Sequence, residues 1–217
     1  MNAKQHDTKA LQDLDKQHYM HPFTDSKAMH KKGTRIITGA DGCYIYDSEG
    51  GKVLDGMAGL WCVAIGYGRH ELADVAAQQM RELPYYNSFF GTAHPPVIKL
   101  AAQLKKLAPA HISHVFFTGS GSESNDTNVR LVRHYWQAKG QPKKRTIISR
   151  YNAYHGSTMA AMSLGGMKGM HDQGGIIDGI EHIMQPHWYH ETLAGESEED
   201  FGLRAAQALE TKILEVG

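Results

Sequence analysis

The sequence predicts an α/β protein in which a small antiparallel meander precedes a larger domain built on a parallel-type sheet. Three observations carry this. Short β-branched and aromatic runs bounded by Asp-Gly and Gly-Gly turns fill residues 34–55. From about Gly68 the apolar period becomes helical. Residues 114–149 then run strand, glycine–serine loop, helix, polar turn and strand, an order that makes a βαβ unit with a right-handed crossover.

The elements follow in order. Residues 1–33 read as a polar entry segment with one short helix. Thr34–Thr38, Cys43–Asp47 and Lys52–Asp55 are the strands of the meander. Leu72, Val75, Ala76 and Leu83 share one helical face, and Val97, Leu100, Ala101, Leu104 and Leu107 share another. The loop Pro84–Phe90 and the pair Pro95-Pro96 stop the first helix and open the second. His114–Thr118 is a short apolar strand, Asn125–Ala138 a helix with Val129, Val132 and Trp136 on one side, and Arg145–Ser149 the next strand. Ile180–Gln185 suits a further strand, and Leu203, Ala206, Leu209 and Ile213 mark a last amphipathic helix.

Composition narrows the function. A chain of 217 residues holds one domain or one and a half. Lys plus Arg and Asp plus Glu both total 23, so no global field holds nucleic acid or an anionic membrane. With 41% hydrophobic and 21% charged residues, the chain is not disordered, collagenous or a coiled coil. The apolar stretch Gly56–Gly68 is glycine-interrupted and shorter than the ~20 residues of a spanning helix. Met1–Lys16 lacks the apolar core of a secretory signal. Cys43 and Cys62 are too few for a disulfide framework and are expected as free buried thiols in a reducing cytosol. The 14 histidines are scattered without a metal-binding pair, so no metal site is expected.

Four features carry candidate chemistry. Gly119-Ser-Gly-Ser-Glu-Ser124 lies where a strand feeds a helix; glycine lets backbone approach an anion, and the helix start offers unpaired N–H groups. It lacks the Lys-Ser/Thr of a P-loop and the third glycine of a dinucleotide fingerprint, which favours a single phosphate. A plain capped helix start explains the same residues equally well. Asn152-Ala-Tyr-His-Gly-Ser-Thr158 follows the next strand and would face the same crevice, beyond the carboxyl ends of the strands. Tyr154 there either stacks on a flat ring or anchors the turn from the interior. Leu60-Trp61-Cys62 and Phe89-Phe90 make an apolar substrate wall if brought together, and core if read separately. The acidic run Glu196–Asp200 reads as a solvated loop or a helix start.

Asp55-Gly-Met-Ala-Gly-Leu-Trp-Cys62, Phe116-Phe-Thr-Gly-Ser-Gly-Ser-Glu-Ser-Asn-Asp-Thr127 and Tyr154-His-Gly-Ser-Thr158 together resemble class III aminotransferases. These are fold-type I enzymes that use pyridoxal 5'-phosphate. The resemblance is nearest to omega-aminotransferases that take pyruvate as acceptor, of the putrescine and β-alanine types. It runs from about Pro22 onward and includes Ser163-Leu-Gly-Gly-Met167 and Gln185-Pro186.

The resemblance implies a fold in which residues 1–60 form an N-terminal arm and part of a small domain. Residues 61–217 then form the N-terminal part of the cofactor-binding large domain, its sheet incomplete. It implies that Ser120, Gly121 and Ser122 bind the cofactor phosphate, that Tyr154 stacks on the pyridine ring and that His155 supports the Tyr154 loop. Trp61, Phe89 and Phe90 line the substrate pocket, which in such enzymes forms at a dimer interface. Ser124 stands where alanine is common, Ala153 where glycine is common, and Tyr151 where tryptophan is frequent. Family members are about twice this long. Their cofactor-anchoring lysine and the aspartate facing the pyridinium nitrogen correspond to positions beyond Gly217, and Lys168 is not a position the family uses. The chain is accordingly expected as an N-terminal fragment without its own catalytic lysine, inactive alone.

The implied activity moves an amino group from an omega-amine or diamine to a pyruvate-like keto acid, in a cytoplasmic homodimer or homotetramer without nucleic-acid or membrane partners. The alternatives are another class III reaction, such as an aminomutase or decarboxylase, and a catalytically inactive truncated chain. A nucleotide-binding module rests on the βαβ unit alone.

Overall fold

The structure, a computed structural model, describes residues 6–217. It divides into two compact units, one ending at Val97 and one starting at Ile98.

The first unit opens with two helices where the sequence suggested one. Asp7 caps α1 (Thr8–His18) by accepting from the Ala10 amide, and Asp25 caps α2 (Ser26–Lys32) by accepting from the Lys27 and Ala28 amides. Asp15 binds the chain on either side of α2, accepting from the Thr34 hydroxyl at 2.5 Å and pairing with His21 at 2.7 Å.

The meander forms as expected from β1 (Ile37–Asp41), β2 (Tyr44–Asp47) and β3 (Lys52–Leu54), all antiparallel. Its first strand lies further along than Thr34–Thr38. Asp41 pairs with Tyr44, so the loop shrinks to Gly42-Cys43, and Gly42 supplies the positive φ (55°) that a two-residue hairpin needs. The Asp47 carboxylate closes the next turn by accepting from the Glu49 and Gly51 amides. The turn α3 (Ala58–Trp61) and helix α4 (His70–Glu82) follow, and α5 (Pro95–Leu107) starts in this unit and belongs to the second from Ile98 onward. α5 opens on its proline pair as the sequence indicates.

The second unit holds α6 (Gly121–Ala138), β4 (Ile147–Arg150), α7 (Met159–Leu164), α8 (Lys168–Gly174), β5 (Ile180–Ile183), α9 (Trp188–Glu191) and α10 (Glu198–Val216). β4 and β5 pair in parallel, Ile147 with Ile180 through Arg150 with Ile183, and α7 and α8 make the crossover. The parallel unit therefore forms one step later than expected. Residues 112–118 carry no regular structure, because a strand requires a ladder and this segment pairs with neither β4 nor β5. Arg133 ties α6 to both strand starts, donating to the carbonyls of Arg145 and Asp178.

All buried apolar side chains among the described residues lie in this unit: Val129, Ala161, Met162, Ile180, Ile183, Phe201 and Ala205. The inward stripe of α10 is thus Phe201 and Ala205, while the expected Leu203, Leu209 and Ile213 are exposed. Periodicity misled here because Arg204 and Lys212, which look like surface residues, are partly covered by their partners. Cys43 and Cys62 are free, as expected, but exposed.

The acidic run starts α10 with a Ser197 cap, and Glu196 just before it is clamped by Arg204 at 2.7 and 2.9 Å. The Arg204 guanidinium and the Leu193 amide hold its carboxyl at about 2, against an ordinary 4.5. A folded-state value below the unfolded one stabilises above pH 4.5, and that contribution disappears as pH falls toward 2. Glu196→Gln is therefore expected to flatten the decline of the urea midpoint across this pH window; identical pH profiles would contradict the clamp.

Candidate active site

The strand-to-helix loop and the bend after β4 are built into each other. Ser120 caps α6, its hydroxyl accepting from the Glu123 amide at 3.1 Å, and the Ser124 amide makes the first helical bond to the Ser120 carbonyl. This leaves the amides of Gly121 and Ser122 without a partner among the described residues, at the positive end of an 18-residue helix. A Cβ built at Gly121 meets nothing within 4 Å, so the space over these amides is open. The Ser122 hydroxyl accepts from the Ser157 amide at 3.0 Å and keeps its own proton to donate.

Gly156 makes this docking possible. Its φ is 129°, and a Cβ there would fall 2.4 Å from Ser122 Oγ and 2.9 Å from Ser122 Cα. Further along α6, Asn125 donates to the His155 carbonyl at 2.6 Å. Asp126 accepts from the Thr158 hydroxyl at 2.7 Å and from the Ala161 amide at 3.0 Å, capping α7 from outside its own helix. Behind the bend, Gly166 lies so close that a Cβ would sit 2.2 Å from the Arg150 carbonyl oxygen. The Gly166 amide donates to the Ala153 carbonyl, and the Asn152 amide donates to the Gly166 carbonyl. Asn152, with φ 60°, takes the left-handed position, so alanine at 153 costs nothing in backbone strain.

Tyr154 is 57% exposed at the mouth of this bend, which removes the reading of an interior anchor. His155 meets α6 through its carbonyl. Ser120 acts as the plain cap that the sequence also allowed. The two loops thus meet where Ser122 and Asn125 bond the backbone of residues 155–157, immediately after Tyr154.

Two aromatic turns stand in the first unit, and neither is core. Trp61 is 85% exposed, Phe89 69% and Phe90 99%. Both turns use left-handed backbone. Ala58, Gly59, Leu60 and Trp61 have φ of 48°, 61°, 61° and 67°, so α3 is wound left-handed. Its three non-glycine residues cost about 1–2 kcal/mol each. The Asp55 carboxylate accepts from the Gly59 amide and the Tyr67 hydroxyl, each at 2.7 Å, and from the Met57 amide at 3.3 Å. Those donors, the Tyr67 hydroxyl first, hold the Asp55 carboxyl below its ordinary range, and Asp55 in turn raises the Tyr67 phenol. Phe90 has φ 58°, and Asn87 and Thr92 close its turn.

Known proteins match this chain. The model of the family "Aminotransferase class-III" covers residues 26–215. The chain belongs to the class III aminotransferases. It is 59% identical over 218 residues to the putrescine–pyruvate aminotransferase of Pseudomonas aeruginosa, covering 100% of this chain and 47% of that protein. It is 40% identical over 186 residues to the diaminobutyrate–2-oxoglutarate transaminase of Halomonas elongata, with 84% and 40% covered. Among solved structures, the omega transaminase of Pseudomonas jessenii in complex with PMP matches with a TM-score of 0.92 and 43% identity, over 95% of this chain and 46% of that one. An (S)-enantioselective omega-transaminase of Thermomicrobium roseum matches with a TM-score of 0.92 and 38% identity, over 99% and 47%. The chain spans about half the length of the relatives it matches.

In this class III aminotransferase chain, sequence reading missed Asp126, Asn125 and Asp55. A signal for the first was present, since Ser122, Asp126 and Val129 follow one another at helical spacing and form a polar-to-apolar inward stripe. Asp126→Ala leaves the Thr158 hydroxyl and the Ala161 amide unpaired and is expected to destabilise by about 1–3 kcal/mol. Amide hydrogen exchange at Ala161 should accelerate with it; an unchanged rate would show that the cap is idle.

Proposed function

We propose that this chain forms the N-terminal part of a pyridoxal phosphate-dependent aminotransferase that moves an amino group from an omega-amine or diamine of the putrescine type to pyruvate. The observation that carries the reading is the Ser122 hydroxyl, which joins the open start of α6 to the bend bearing Tyr154. Its support from relatives is the 59% identity with a putrescine–pyruvate aminotransferase and the likeness to an omega transaminase seen with PMP.

The residues fit the cofactor. Two unpaired amides, a donating hydroxyl and a helix N-terminus suit one phosphate ester, and the open space at Gly121 admits it. The Gly121 and Ser122 amides and Ser122 Oγ would hold that phosphate, with Ser120 shaping the helix start. Tyr154 would stack on the cofactor ring, and the Asn125–His155 bond keeps its bend in place. When bound, pyridoxal phosphate supplies the electron sink for exchanging an amine for a carbonyl. Trp61, Phe89 and Phe90 form apolar walls that exclude water from the amine site. None of the lysines here is assigned proton transfer. Lys168 is exposed on α8 and paired with Asp172 at 2.7 Å. The proposal extends to residues 61–217 as the N-terminal part of the cofactor-binding domain, and to a cytoplasmic homodimer or homotetramer. Among the described residues, no helix is long and apolar enough to cross a membrane.

In the intact enzyme, Ser122→Ala is expected to weaken cofactor binding by about 1.5–3 kcal/mol, as for a hydrogen bond to a charged group. A fluorescence titration with pyridoxal phosphate checks this, and an unchanged affinity would reject the phosphate assignment. Turnover of putrescine and pyruvate separates an aminotransferase from an aminomutase or a decarboxylase.

A further inference from the structure

We infer that Asp55, backed by Tyr67, is a positioning residue that sets which amines the enzyme accepts, by holding the left-handed turn that presents Trp61. The inference rests on the proposed reading of Trp61 as a wall of the amine site.

Four successive residues with positive φ are not a conformation that a chain adopts by preference, and three of them carry side chains. Such a turn persists only where its surroundings over-determine it. Here the surroundings are few and identifiable. The backbone bonds within the turn run from the Trp61 amide to the Met57 carbonyl and from the Cys62 and Val63 amides to the Ala58 carbonyl. The side-chain support is the Asp55 carboxylate, which reaches into the turn at the Gly59 amide and out of it at the Tyr67 hydroxyl, with the Cys62 thiol donating more weakly to the Leu60 carbonyl at 3.5 Å.

Both ends of that support are fixed to the meander. The Asp55 amide donates to the Cys43 carbonyl at 2.9 Å, and the Tyr67 amide donates to the Gly42 carbonyl at 2.7 Å. The turn also has no room to relax inward at Gly59, where a Cβ would lie 2.8 Å from Val63 Cγ2 and 3.1 Å from the Tyr67 hydroxyl. The meander hairpin thus positions Asp55 and Tyr67, they position the turn, and the turn holds out an indole that packs on little else.

An asparagine at 55 keeps the shape but cannot make the same bonds. Oδ2 takes two donors and Oδ1 a third, so whichever way the amide lies its NH2 group faces a donor. Tyr67→Phe keeps the ring and removes only the outer bond. Both variants leave every residue of the proposed phosphate cradle intact.

The test uses the intact cofactor-loaded enzyme and compares putrescine with a bulky arylalkylamine. Asp55→Asn is expected to raise the ratio of kcat/KM for the bulky amine over that for putrescine by roughly tenfold, with Tyr67→Phe shifting it less in the same direction. Cofactor content should stay unchanged. In a background of the intact enzyme in which every tryptophan other than Trp61 is replaced by phenylalanine, the fluorescence anisotropy of Trp61 should fall in both variants. An unchanged ratio in Asp55→Asn, where Trp61→Ala does move it, overturns the inference and leaves the reading of Trp61 standing. If Trp61→Ala itself leaves the ratio unmoved, the reading of Trp61 fails and takes the inference with it. An unaltered anisotropy in Asp55→Asn shows that the carboxylate does not hold the turn.

Discussion

The bond from the Ser157 amide to the Ser122 hydroxyl is where the two halves of the proposed cofactor cradle become one. A phosphate site at a helix start is common in principle, and so is an aromatic residue on a loop. What makes them a site is that the second loop lies directly on the first helical turn. That approach requires Gly156, whose missing Cβ leaves room for Ser122. It also requires Gly166, which lets the chain after α7 pass against the backbone of residues 150–152. Asn125 and Asp126 then fasten the bend and the start of α7 to α6. The glycines permit the geometry and the polar side chains hold it.

Features governed by neighbours in sequence were legible. The meander turns, the proline-opened α5, the Ser120 cap and the acidic start of α10 all depend on residues within a few positions of each other. Features governed by distant partners were not. His114–Thr118 has the composition of a strand, but composition does not supply a hydrogen-bonded neighbour. The inward stripe of α10 includes Arg204 and Lys212, whose charges are met by Glu196, Glu181 and Glu215. The Asp126 cap joins residues more than thirty positions apart, and only the folded chain shows it.

The aromatic turns add a second kind of information. An exposed tryptophan or phenylalanine is unremarkable alone, and strained backbone is uninformative without a purpose. Among the described residues they coincide at Phe23, Trp61 and Phe90, and at the last two a short polar side chain closes the turn, Asp55 in one case and Asn87 in the other. Holding large rings out in this way is costly for a core and useful for a pocket wall.

The docking of the two loops is tested most directly by a substitution that replaces neither the proposed phosphate donors nor Tyr154. Gly156→Ala does this, placing a methyl group where Ser122 and Ala161 now lie. The dissociation constant of pyridoxal phosphate from the folded, intact variant is predicted to rise at least about tenfold, a loss of roughly 1.4 kcal/mol. A folded variant that binds the cofactor as tightly as its parent would show that the two loops hold it independently.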